Sequence, residues 1–217
     1  LDEVYRIIKS KIKDTSKDKI CGFVGDLINM EASFIFKEFF DRTIDINNYE
    51  SRSSQTYLDN SARENYLFNS TINGIEESDL ILLIGTNPRF EATMLNARIR
   101  KAYLSNNIDI ISLNDVGDLT YPYNSLDGKT QTINDITENK NDISKKILEA
   151  NKPMIIIGES FFNLKSAEYL FHNLKKFLFT NNKFSEDWNP FNILSVNAAT
   201  AGSFDLDIIN EKSDLIN

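Results

Sequence analysis

Leu80-Ile81-Leu82-Leu83-Ile84-Gly85-Thr86-Asn87-Pro88-Arg89-Phe90-Glu91-Ala92 is the stretch whose reading decides the fold. Five branched aliphatics in a row suit a strand buried on both faces, the habit of parallel sheets. Gly85 frees the backbone where the strand ends, Asn87 suits a helix N-cap, and Pro88 suits the first helical position. The stretch therefore predicts a strand, a loop and a helix of a parallel α/β sheet. Ligands of such sheets sit beyond the carboxyl ends of the strands, so Gly85 to Glu91 is where a site belongs if the chain has one.

Outward from this unit the pattern alternates. On the following helix, Leu95, Ile99, Ala102 and Tyr103 share one face, which predicts packing on the sheet. Helices are expected over 1–13, 30–40, 62–72, 91–104, 141–150 and 164–179. Strands are expected over 19–24, 80–84, 108–113 and 153–157, with a short one within 43–49 and an apolar run at 191–196. Crossover helices between strands impose parallel pairing, so the fold class is α/β: a doubly wound, mostly parallel sheet with helices on both faces, Rossmann-like. A subdivision into 1–130 and 131–217 is compatible with this alternation.

Composition excludes several classes. The chain has 217 residues, 41% of them hydrophobic and 26% charged, and a formal net charge of −8. That balance fits a soluble globular protein and opposes a nucleic-acid or anionic-membrane footprint. Arg98, Arg100 and Lys101 gather locally, where they are expected to complement the end of a helix dipole. Cys21 is the only cysteine and His172 the only histidine, so no thiolate cluster, disulfide framework or histidine metal site can be assembled from this chain alone. Cys21 lies in an apolar run and is expected to be buried and inert; His172 is expected at a surface or boundary. No apolar run reaches the length of a membrane span and no signal peptide opens the chain, so a cytosolic setting is expected. The start at Leu1 suggests an excerpt or a processed product.

Candidate chemistry is sparse. Val24-Gly25-Asp26, Ile84-Gly85-Thr86 and Ile157-Gly158-Glu159 repeat a glycine at a strand end, which serves a common cleft or simply a tight turn. Neither phosphate-cradling glycine fingerprint is present. Asp26, Glu91 and Glu159 allow a paired acid–base site, but each also suits a helix start, the reading preferred here. No catalytic residue and no metal site is assigned. Arg89, a guanidinium at the sheet's carboxyl edge, can grip an anion or a neighbouring domain. Trp188 is expected to anchor the polar loop 181–190 to the core, and 210–217 to be frayed.

Residues 65–79 (NYLFNSTINGIEESD), running into Leu82-Leu83-Ile84-Gly85-Thr86-Asn87-Pro88-Arg89-Phe90-Glu91-Ala92 and then Asn96-Ala97-Arg98-Ile99-Arg100-Lys101, resemble the 75 kDa iron–sulfur subunit of complex I. That family includes the mitochondrial subunit and its counterpart in bacterial NADH-quinone oxidoreductase. Asp118-Leu119-Thr120-Tyr121, Lys152 to Gly158, Trp188 and Asn192-Ile193-Leu194 extend the resemblance along nearly the whole chain. It implies a fragment of the molybdopterin-oxidoreductase-like region, with the iron–sulfur clusters held upstream, outside this chain. It also implies that Gly85, Thr86, Asn87 and Pro88 form a relic of the pterin dinucleotide loop, with no cofactor in this segment. Arg89 and Glu91, which depart from the residues molybdoenzymes often place there, become interface candidates. The implied role is a scaffold in the peripheral arm of complex I, in contact with the rest of the same subunit and other arm subunits, at the cytoplasmic face of the bacterial inner membrane. Two alternatives stand beside it: a catalytic molybdopterin-dependent domain of the formate dehydrogenase type, and the middle domain of a thiamine-diphosphate enzyme, suggested by 150–158.

Overall fold

The computed structural model describes residues 1–25, 27–51 and 57–209 and divides the chain into two compact units. Residues 1–55 and 197–217 form the smaller; residues 56–196 form the larger. The expectations for Asp26 and for 210–217 lie outside the described residues.

In the smaller unit, α1 (Asp2–Asp14) precedes β1 (Gly22–Phe23), α2 (Met30–Glu38) and β2 (Tyr49–Glu50), and the two strands pair in parallel. Asn29 caps α2 by accepting from the Ala32 N–H at 2.8 Å. The helix then widens into a π turn over Phe39–Ile44, which ends where Asp45 turns left-handed and sends its N–H to the Phe40 carbonyl. This winding takes the first residues of the strand expected over 43–49, leaving only Tyr49–Glu50 paired. Val24, Phe40, Ile44, Tyr49 and Ile208 form the core, with Phe36 and Phe40 stacked at 4.6 Å between ring centroids. The strand expected over 19–24 shrinks to two residues because Lys17–Lys19 coil into a 3-10 turn. Cys21 consequently lies outside the strand and is exposed, which corrects the expectation of a buried thiol.

The larger unit is built on β3 (Leu80–Ile84), reached through the short α3 (Thr71–Gly74) and followed by α4 (Pro88–Glu91) and α5 (Thr93–Asn106). Then come β4 (Asp109–Ser112), β5 (Asn124–Ser125), α6 (Thr130–Thr137), α7 (Asp142–Glu149), β6 (Pro153–Gly158), α8 (Glu159–Phe162), α9 (Ala167–Thr180) and β7 (Phe191–Leu194). The strand order is β5-β4-β3-β6-β7, all parallel. Alternate residues of β3 supply two cores, as the two-residue period of a strand requires. Leu80, Leu82 and Ile84 join Ile155 and Ile157 under α6, α7, α8 and α9; Ile81 and Leu83 join Met154 and Ile156 under α5. Helices thus cover both faces, and the doubly wound α/β sheet expected from the sequence is present.

Residue 130 is not a boundary, because β3 pairs with β4 before it and with β6 after it. The helix expected over 62–72 is absent as well. Leu67 accepts from the Ile193 N–H at 3.0 Å and Phe68 bridges to Asn192, so this segment covers the edge of β7 as extended chain. The Asn69 amide holds that course by donating to the Glu64, Leu67 and Phe191 carbonyls. Trp188 anchors its loop as expected: the indole is buried and donates to the Pro153 carbonyl at 2.9 Å. Helix α6 adds to the elements expected from the sequence, with Ile133 and Ile136 anchoring it in the core. Leu82, wholly buried at the centre of β3, should on change to Ala lower stability by about 2–5 kcal/mol, measured by chemical denaturation.

Candidate functional site

The connections run from β3 to β4 and β5 on one side, and the chain then crosses to β6 and β7 on the other. A switch point of this kind is where doubly wound sheets usually open a ligand crevice. Here the two strand ends close on each other. Gly85 has φ +63, and a Cβ on it would lie 2.7 Å from the Phe161 nitrogen. A Cβ on Gly158 would lie 2.5 Å from both the Gly85 oxygen and the Thr86 Cβ. The Ser160 hydroxyl completes the closure by donating to the Gly85 carbonyl at 2.6 Å. Both glycines are therefore required by close approach of the two strand ends, a reason distinct from the common cleft and the tight turn weighed from the sequence.

Beside this closure lies a cleft of 160 Å³ lined by Gly85, Thr86, Asn87, Glu91, Ser112, Asn114, Val116 and Ser160. Asn87 caps α4 as expected, its side-chain oxygen accepting from the Arg89 N–H at 3.2 Å, with Pro88 in the first turn. The Asn87 amide donates to the Val116 carbonyl at 2.9 Å. Glu91 turns back over the loop: its carboxylate accepts from the Thr86 hydroxyl at 2.6 Å and from the Asn87 N–H at 3.0 Å. Arg89 does not pair with Glu91. It reaches the loop after β4, donating to the Asp118 carbonyl at 2.6 Å and the Asp118 carboxylate at 2.7 Å. The Thr120 N–H and, after it, the Arg89 guanidinium hold the Asp118 carboxyl below the usual carboxylate range.

Asn96 secures the same loop from below. Buried on α5, it donates to the Leu119 carbonyl at 3.0 Å and accepts from the Tyr121 hydroxyl at 2.8 Å. Burial pushes the Tyr121 phenol well above its usual value, so it remains a donor. Sequence reasoning gave Asn96, Asp118 and Tyr121 no such role; their only signal was membership of the segments that carry the family resemblance. Of the three carboxylates weighed for acid–base chemistry, only Glu91 lines the cleft among the described residues; Glu159 opens α8 and does not line it. Arg98 and Lys101 sit within α5 rather than at its end and grip opposite oxygens of Glu76, at 2.5 and 2.8 Å. His172 is exposed, as expected, with its Nε2 3.1 Å from the Tyr57 hydroxyl.

Among the described residues, no group of three or more His, Cys, Asp or Glu is placed to hold a metal ion. Nor is any described helix long and apolar enough to cross a membrane.

With this geometry in place, comparison with known proteins defines the family. The family model for molybdopterin oxidoreductases matches residues 2–216. The chain belongs to the molybdopterin oxidoreductase family. A subunit of NADH-quinone oxidoreductase from Rickettsia bellii is 32% identical over 205 residues, covering 94% of this chain and 30% of that protein. The 75 kDa subunit of NADH-ubiquinone oxidoreductase from Reclinomonas americana is 34% identical over 227 residues, covering 95% of this chain and 32% of that protein. The mitochondrial iron–sulfur protein 1 of NADH dehydrogenase from Solanum tuberosum is 29% identical, over 99% of this chain and 29% of its own length. The resemblance to the 75 kDa subunit is thus borne out, and the chain spans about a third of the length of these relatives.

The family's name raises the question of a pterin cofactor, and the loop does not fit one. The cleft falls below the roughly 300–1,000 Å³ usual for ligand pockets. Glu91 occupies the Asn87 N–H and the Thr86 hydroxyl, two of the loop's hydrogen-bond donors, and places a negative charge beside them, which opposes a bound anion. Arg89, the loop's own cation, is committed to Asp118.

Two measurements check this geometry. Gly85→Val should lower stability by about 1–3 kcal/mol or more, because left-handed φ and a backbone clash act together; the denaturation midpoint reports it. Arg89→Ala should raise the Asp118 pKa towards its ordinary value without reaching it, since the Thr120 N–H remains. A depressed folded-state value means the stabilisation is present above the unfolded pKa and disappears as pH falls through the folded one. An NMR titration of the carboxyl carbon measures both limbs.

Proposed function

We propose that this chain is a scaffold segment of the peripheral arm of an NADH-quinone oxidoreductase. The observation that carries the reading is the inward-turned loop at the end of β3. Its backbone course is kept by Gly85, Asn87 and Pro88, while Glu91 and Asp118 occupy its polar groups. A loop whose donors are engaged by its own protein holds shape rather than substrate. Similarity to the complex I relatives along nearly the whole chain supports the setting.

On this reading, electrons pass from NADH to quinone through iron–sulfur clusters held by other parts of the polypeptide. Cys21 and His172, each alone in its kind, supply no cluster ligand set here. The partners are the rest of a polypeptide like the 75 kDa subunit and other arm subunits, at the cytoplasmic face of the bacterial inner membrane. Arg89 and Glu91 act at one remove, by shaping the edge of the sheet that neighbours meet. The family match itself favours a second reading, a working molybdopterin domain.

The experiment is purification of the tagged parent polypeptide from its native membranes, with metal analysis of it and of the 217-residue chain. NADH-quinone reductase activity should co-purify with the parent, and the shorter chain should carry no stoichiometric iron, zinc or molybdenum. One equivalent of molybdenum with a pterin on the shorter chain would establish the second reading instead. Glu91→Ala should cost the loop about 1–3 kcal/mol of stability by freeing the Asn87 N–H and Thr86 hydroxyl, yet leave turnover per assembled complex unchanged. Thermal denaturation and reductase assays on the variant complex measure the two effects.

A further inference from the structure

We propose that the cleft at the end of β3 binds a primary alkylammonium group, through the Glu91 carboxylate and the hydroxyl oxygens of Thr86, Ser112 and Ser160. Such a site goes beyond the scaffold reading and does not depend on it.

The cleft has spent its hydrogen-bond donors on the protein. The Thr86 hydroxyl donates to Glu91, the Ser160 hydroxyl to the Gly85 carbonyl and the Asn87 amide to the Val116 carbonyl. The N–H groups of Asn87, Arg89, Phe90 and Glu91 are taken as well, by the Glu91 carboxylate, the Asn87 side chain and the Asn87 carbonyl. Its acceptors are left. A hydroxyl that has given its hydrogen away still accepts through its oxygen, and a carboxylate offers about four lone-pair sites, of which Glu91 uses two here. Ser112 adds an independent sign of a missing partner. It is 1% exposed, lines the cleft from the end of β4, and its hydroxyl makes no hydrogen bond among the described residues. Buried polar groups in folded proteins are paired with protein, water or ligand, and no protein group pairs this one.

Charge and volume narrow the ligand. Glu91 is the one charged residue among those lining the cleft, and no Lys, Arg or His stands with it. Arg89 is engaged with Asp118 instead. An acceptor-lined site with one negative charge suits a singly charged cation that carries N–H donors. Divalent metal ions gather oxygen ligands that commonly include several carboxylates, and this lining supplies a single one. A primary ammonium brings three donors and one positive charge, so each N–H can find an acceptor oxygen. A bare ion would leave most of the 160 Å³ to water, whereas the carbon beside an ammonium fills part of it and Val116 offers that carbon an apolar wall. Free alkylamines and lysine side chains carry the same head group, and titration separates the two sources.

The test titrates the isotopically labelled 217-residue chain with n-butylammonium chloride at constant ionic strength and follows its backbone amide resonances by NMR. The resonances of Gly85, Asn87, Ser112 and Asn114 should shift saturably. Tetramethylammonium, which has the charge without a donor, should leave them in place. Glu91→Gln should weaken binding on the order of tenfold, since it removes the charge from a charge-assisted hydrogen bond. Ser112→Ala, which leaves the hydrogen bonds of the loop intact, should weaken it about three- to tenfold. Equal shifts with tetramethylammonium, shifts that grow without saturating, or an affinity unchanged in either variant would overturn the proposal. Nα-acetyl-lysine methylamide then replaces butylammonium. Binding at least as tight upholds the site with a lysine side chain as its source, and weaker binding upholds it with a free amine.

Discussion

Burial of β3 on both faces is the constraint from which the larger unit follows. A strand with no polar side chain can exist only between two apolar layers and two hydrogen-bonded neighbours, and β4 and β6 are those neighbours. Each parallel neighbour demands a crossover, and the crossovers become the helices that cover the two faces. The chain passes from one side of β3 to the other, which brings the ends of β3 and β6 together at the switch point. There Gly85 packs against Phe161, and Gly158 against Gly85 and Thr86, which narrows the crevice.

What remains beside that closure is shaped by satisfied polar groups. Glu91 folds over the loop of its own helix, Arg89 ties that helix to Asp118, and Asn96 with Tyr121 ties α5 to the same segment. An arginine in the first turn of a helix opposes the macrodipole, and the Asp118 carboxylate offsets that cost. The loop is stabilised by mutual engagement of its own polar groups. The loop's donors are engaged internally, by Glu91 and Val116.

The two units differ in how they bury apolar surface. The larger encloses its aliphatic strands between helices on both sides. The smaller encloses an aromatic core on one side of a two-stranded sheet and leaves phenylalanine and isoleucine outward on the other flanks. Hydrophobic burial scales with area removed from water, so the smaller unit gains further stability only by being covered.

Features governed by near neighbours along the chain were legible in the sequence alone. Strand β3, the Asn87 cap, Pro88 in the first turn, the inward face of Leu95, Ile99 and Ala102, and the need for Gly85 all follow from local periodicity and backbone sterics. Tertiary structure alone decided the features whose partners are distant. Arg89 finds Asp118 across 29 positions, and Asn69 holds the edge strand across 122, so the helix expected over 62–72 gives way to extended chain. Cys21 sits in an apolar run but is exposed, because the strand there pairs over only two residues. The physical reason is common to all of these cases. Local propensities amount to tenths of a kcal/mol per residue, and a satisfied buried hydrogen bond or a filled core position outweighs them.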